Sequence, residues 1–144
     1  MRASIRRRRS RGQGLVEFAL IFPILILLLV GIFDAGRLIF AYNDITNAAR
    51  EGTRLGIVDQ TAGSIKTEVI RQATSLGLAP TQIDVEFCKP DGTMCLPTKP
   101  STLDSLVLVR VTYPWRAITP IIGNVIGPVS VVSESRMAVE RLFP

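Results

Sequence analysis

Sixteen consecutive residues, Phe18 to Phe33 (FALIFPILILLLVGIF), carry no charge. Leu15 and Val16 extend the run on its N-terminal side with only Glu17 interrupting, so Leu15 to Phe33 makes nineteen mostly apolar positions. A helix that crosses a bilayer core needs roughly 20 such residues. Pro23 lies inside the run. In water it would end a helix, whereas in lipid, which cannot satisfy free backbone groups, the helix continues with a kink. Arg2, Arg6, Arg7, Arg8, Arg9 and Arg11 stand immediately before the run, with no acid among them. By the positive-inside rule they are topogenic: they hold the N-terminus in the cytoplasm and place the ~110 C-terminal residues outside the membrane.

Two other readings compete. A buried core helix of a soluble protein would not abut a cluster of arginines. A conventional secretory signal has a basic start and an apolar stretch, but that stretch is usually about 7–15 residues and ends at a small-residue cleavage site. Phe33-Asp34-Ala35-Gly36 is a poor substitute for one.

The charge balance fits the membrane reading. The formal net charge is +5, from 17 basic and 12 acidic side chains. Six of the basic ones lie in the first eleven residues, leaving 11 against 12 in the remainder. A basic excess spread over a surface points to nucleic acid; one confined to a leader does not. The chain has no His and only two Cys, which removes most zinc sites and every Ser-His or Cys-His catalytic arrangement.

The junction Arg11-Gly12-Gln13-Gly14-Leu15-Val16-Glu17-Phe18 carries the most specific pattern. A carboxylate at the mouth of a membrane helix is costly, less so near the end, where it can snorkel to the headgroups. Read as a whole, a basic leader ends at a glycine, four residues follow, and then come Glu17, the aromatic Phe18 and the apolar helix. This resembles the class III signal of type IV pilins and pseudopilins. The resemblance implies cleavage by a prepilin peptidase between Gly12 and Gln13, with Glu17 becoming the fifth residue of the mature chain. It also implies that Glu17 pairs with the N-terminal amine of a neighbouring subunit during assembly, with Phe18 beside it. Glycine lets an extended backbone enter a protease cleft closely. A cut after Gly14 would leave Glu17 third, a poorer match.

More narrowly, Gly-Gln-Gly-Leu-Val-Glu-Phe-Ala-Leu with the later Pro23, together with Asn47-Ala48-Ala49-Arg50-Glu51-Gly52-Thr53-Arg54, is similar to TadE-like proteins. These are minor pseudopilins of the tight-adherence (Tad) pilus, a branch of the type IV pilus superfamily. The resemblance covers about forty N-terminal residues; Phe18 departs from the Tyr common in major pilins of this branch.

From Asp34 to about Arg54 the sequence turns amphipathic. Ala35, Leu38, Ile39, Tyr42, Ile45, Ala49 and Gly52 recur at helical spacing, with Asp34, Arg37, Asn43, Asp44, Asn47, Arg50 and Glu51 between them. A continuous helix from about Gly14 to Arg54 would be about 60 Å long, twice a bilayer core. Its outer half must therefore pack on something. Arg50 and Arg54 read equally as charges in solvent or at lipid headgroups and as members of structural ion pairs, and Gly52 between them as a point of fraying or of close contact.

Beyond residue 54 the pattern predicts a small α+β domain. Ser64 can cap a helix running to about Leu76, with Ile65, Val69, Ala73 and Leu76 as its stripe, Gly77 at its C-cap and Pro80 as a stop. Three segments read as strands of an antiparallel sheet: Ile83–Cys88, Leu106–Tyr113, and Val129–Val139 ending in a turn of helix. Trp115 to Gly127 reads as a short helix, packed in the core in preference to lying against the membrane. Cys88 and Cys95 bracket Lys89-Pro90-Asp91-Gly92-Thr93-Met94, where Pro-Asp-Gly signals a turn. For an exported domain this spacing predicts a disulfide. Metal binding is the alternative, and two Cys without His do not complete a structural zinc site.

Asp84 and Glu86 share a strand face, as alternation alone requires, and no Gly-rich phosphate loop follows a strand. The expectation is a non-enzyme without cofactor, metal, nucleic acid or small-molecule substrate. The chain divides into a cleaved basic leader (1–12), a transmembrane helix continuing as an amphipathic one (13–54), and an extracytoplasmic α+β domain (55–144). Partners implied by the resemblance are a prepilin peptidase, other pilins and pseudopilins, and the assembly platform in the cytoplasmic membrane, besides lipid itself. The rival from another class is an uncleaved, single-pass binding or sensor module whose arginines are a permanent anchor signal.

Overall fold

In a computed structural model of the chain, residues 11–98 and 104–140 are described. The fold is α+β: a long N-terminal apolar helix followed by a small domain with a helix and a three-stranded antiparallel sheet. Helix α1 runs from Arg11 to Gly56, 46 residues, passing through Pro23 without interruption. At 1.5 Å per residue it spans about 69 Å. Helix α2 is Ala62–Gln72, strand β1 Ile83–Cys88, strand β2 Leu106–Trp115, helix α3 Pro120–Ile126 and strand β3 Val129–Ala138. The strand order is β1-β2-β3, with β2 central.

Alternation sorts the sheet into two faces. Ile83, Val85 and Phe87 stand opposite Val111, Val109 and Val107, and all six are buried. β3 continues that face with Val131, Ser133, Ser135 and Met137. α2 and the outer half of α1 cover it. α1 contributes Ala41, Ile45, Ala48, Ala49, Gly52 and Thr53, mostly small residues, so its backbone lies close to the sheet and to α2. The opposite face carries the ladder of Arg110, Glu134 and Arg136.

The phase of α1 differs from the expected one. Leu38, Ile45, Ala49 and Gly52 do face the domain, but Ala35, Ile39 and Tyr42 are exposed, and Asp34, Ala41 and Ala48 are buried in their stead. Ala41, Ala48, Ala49 and Gly52 turn inward beside Ile45 and allow the close approach, and Ile39 and Tyr42 are left outside. Gly52 is a contact, not a point of fraying: a Cβ there would collide with Val69 Cγ2, and one at Gly56 would stand 2.7 Å from Val107 Cγ2.

Other boundaries also move. α2 starts at Ala62 with Thr61 in the N-cap position, where Thr61 N donates to Asp59 Oδ1 at 2.8 Å; Ser64 lies inside the helix and does not cap it. Its buried stripe of Ile65, Val69 and Ala73 is as expected. The last turn tightens to a 3₁₀ helix over Thr74–Leu76, and Gly77 ends it at φ 59°. β2 extends two residues past Tyr113, and β3 stays a strand to Ala138 with no closing helical turn.

Cys88 and Cys95 are disulfide-bonded. The loop between them turns at Lys89-Pro90-Asp91-Gly92: Gly92 N donates to Lys89 O at 2.8 Å, Gly92 takes φ 79°, and Asp91 Oδ1 accepts from Thr93 N and Oγ1. After the turn Leu96 bridges back to Phe87.

Candidate functional site

The N-terminal half of α1 is a bare apolar cylinder. Every residue from Gly12 to Leu29 is exposed, including Leu15, Phe18, Leu20, Ile24 and Leu28, each more than half so. Fully burying a Leu, Ile or Phe side chain yields about 1.5–3 kcal/mol, so a dozen left in water would be untenable. By length and composition α1 is a helix able to cross a membrane, and none of its most apolar stretch is buried by the protein's own domain.

The predicted junction residues sit at the N-terminal end of this cylinder. Gly12, Gln13, Glu17 and Phe18 are all helical and exposed. Glu17 is the lone ionisable side chain between Gly12 and Asp34, and it forms no ion pair among the described residues. Phe18 packs on Phe22 one turn on, with ring centroids 5.2 Å apart. Arg6, Arg7, Arg8 and Arg9 lie outside the described residues, and of Arg11 only the backbone is described. Nothing among the described residues demands glycine at the junction: a Cβ on Gly12 or Gly14 would meet none of their atoms within 4 Å. Two helical glycines cost about 1 kcal/mol each relative to alanine and here gain no packing in return.

At the other end of the apolar run stands a group that the sequence pattern marks only as a polar position. Asp34 is 4% exposed. Its Oδ2 accepts from Thr119 Oγ1 at 2.6 Å and Thr119 N at 3.1 Å, and its Oδ1 from Ile118 N at 3.0 Å and Arg37 Nη1 at 3.3 Å. A carboxylate satisfied by four donors is held by charge-assisted bonds. Thr119 is also the N-cap residue of α3, so Asp34 ties the start of α3 to the point where the apolar run ends. A hint existed in the sequence, an acid directly after Phe33 and a Thr-Pro helix start, but their pairing across 85 positions is not a local signal.

At the outer end of α1, Ala48, Ala49, Gly52 and Thr53 of the Asn47–Arg54 stretch are buried, Thr53 Oγ1 donating to Ala49 O at 2.6 Å. Arg50 is exposed, and Arg54 approaches Glu51 at 3.9 Å with both side chains largely in solvent, a pair worth little. The stretch is thus a packing motif whose charges face outward. Among the described residues no three metal-ligating side chains cluster.

Residues 12–54 match the family described as TadE-like protein. The likeness is confined to this helix. No curated protein and no solved structure matches it. The matching segment coincides with α1 and includes the junction, the apolar cylinder, Asp34 and the Ala-Ala-Arg-Glu-Gly-Thr stretch with its buried Ala48, Ala49, Gly52 and Thr53, and the domain that follows lies beyond it.

Proposed function

We propose that this chain is a minor pseudopilin, a structural and assembly component of a Tad-type pilus, anchored in the cytoplasmic membrane by α1 with its α+β domain outside. The observation that carries this reading is the TadE-like match over residues 12–54, whose own N-terminal end holds Gly12 and Glu17. A prepilin peptidase cuts between Gly12 and Gln13, removing the clustered arginines and creating an α-amino group at Gln13. Glycines for which the fold has no steric use support this: they make the tip of α1 the easiest part to unwind into an extended substrate. Glu17 then pairs with the Gln13 amine of a neighbouring pilin, packed helix against helix. The pair matters because either charge, buried alone among apolar helices, is penalised.

N-terminal sequencing or intact mass of the membrane-extracted protein tests the reading. A mature start at Gln13 is expected. A start at Met1 would turn the chain into the uncleaved anchored sensor or binding module, and one beyond Phe33 into a secreted protein. Glu17→Ala is expected to be processed normally yet fail in pilus assembly; unchanged piliation with that variant removes the pairing role.

A further inference from the structure

The segment Trp115–Gly127 was expected in the core, and only its start is: Trp115 is buried there, whereas Ile118 is 67% exposed, Val125 81% and Ile126 59%. Its neighbourhood explains why. Ile118 and Pro120 form one side of an open apolar groove, and Pro23, Ile26, Leu27 and Val30 of the apolar run form the other. The backbone of Ile118 and Thr119 is tied at the level of Asp34, and from there Ile118 and Pro120 line the groove with the stretch of the run between Pro23 and Val30. From Ala117 to Ser133 there is no charged side chain, while Arg116 before it and Arg37 beside Asp34 are cationic and exposed.

The backbone is prepared for a place without water. Irregular backbone at membrane depth is tolerated only where its polar groups are satisfied internally. The N–H groups of Ile118 and Thr119 donate to Asp34, Gly123 N donates to Thr119 O at 2.7 Å, and Gly127 N to Gly123 O at 3.0 Å. The buried carboxylate supplies acceptors that lipid does not have.

We infer that the segment Ala117–Pro128 dips into the outer leaflet of the bilayer that α1 crosses, with Ile118, Val125 and Ile126 against acyl chains and Arg37 and Arg116 at the headgroups. The inference rests on the reading of α1 as the membrane anchor. Lipid is favoured over a protein partner because Ile118 and Pro120 share the groove with the apolar run, because Val125 and Ile126 follow on the same uncharged segment, and because Arg37 and Arg116 stand where a headgroup layer would begin.

Nitroxide labels on single added cysteines test it, in the full chain reconstituted in phosphatidylcholine vesicles; both native cysteines are bonded and do not react. Val125→Cys probes the segment, Leu25→Cys the spanning run, and Gly63→Cys the aqueous side, beyond the outer end of α1. All three replace exposed residues, so folding is preserved. The expected result is collision with oxygen over a soluble nickel chelate at Val125, as at Leu25 and opposite to Gly63. A nickel-accessible Val125 beside an oxygen-accessible Leu25 overturns the insertion and leaves the anchor intact. A Val125 label reached by neither reagent replaces lipid with a second protein surface, and a nickel-accessible Leu25 overturns the anchor and the insertion together.

Discussion

Glycine illustrates how one residue type serves two ends in this chain. Gly52 and Gly56 lie where α1 presses on α2 and β2, and Gly12 and Gly14 stand in open space. Gly52→Val is therefore expected to destabilise the folded protein by roughly 1–3 kcal/mol through overpacking, read in denaturant unfolding. Gly12→Ala is expected to leave folding and membrane insertion intact, slightly favouring the helix, while abolishing processing at that bond; normal processing of the variant would sink the assigned cut. Asp34 is the third residue of consequence. Asp34→Ala strands the buried Thr119 N–H and hydroxyl and the part-buried Ile118 N–H, each loss costing about 1–3 kcal/mol. The expected readout is lost hydrogen-exchange protection at Ile118 and Thr119, with protection in β2 retained.

Among the elements, α1 decides the most, because its outer half is a wall of the domain's core. Ile45→Ala, at a position with no exposure, is expected to cost about 2–5 kcal/mol, as burial in a packed core dictates. On the sheet's outer face, Arg110 and then Arg136 hold the Glu134 carboxyl below its ordinary value of 4.5. A carboxyl lowered in the folded state contributes stability above its unfolded value and loses that contribution as pH falls below it. Unfolding midpoints are therefore expected to drop below about pH 4.5, and less steeply in Glu134→Gln. The contribution is small, because the ladder is solvent-screened. The disulfide is a local staple: by chain entropy its short loop is worth on the order of 2–3 kcal/mol, so the Cys88→Ser, Cys95→Ser pair should loosen residues 89–96 before the sheet.

For the whole molecule the proposed cut transforms the charge. The formal +5 belongs to the full chain, and the side chains after Gly12 carry 11 basic against 12 acidic groups. Isoelectric focusing of protein from cells with and without a prepilin peptidase should show a basic species replaced by a near-neutral one.

Much of this architecture was readable from local pattern: an uninterrupted apolar run, strict alternation in Ile83–Phe87, a β-branched central strand, and a Pro-Asp-Gly turn between two cysteines. These signals are local because helix and strand periods and turn dihedrals are properties of neighbouring residues. Three decisions needed the tertiary structure. Which stripe of α1 faces the domain depended on how closely Ala48, Gly52 and Gly56 let it approach α2 and the sheet. The burial of Asp34 depended on donors 84 and 85 residues away, which no spacing rule anticipates. The exposure of Ile118, Val125 and Ile126, apolar residues that the sequence assigned to the core, belongs to the segment whose start this tether holds against α1. Hydrophobicity says that a side chain avoids water; only the position of the chain around it determines whether it does so inside the protein or against something else.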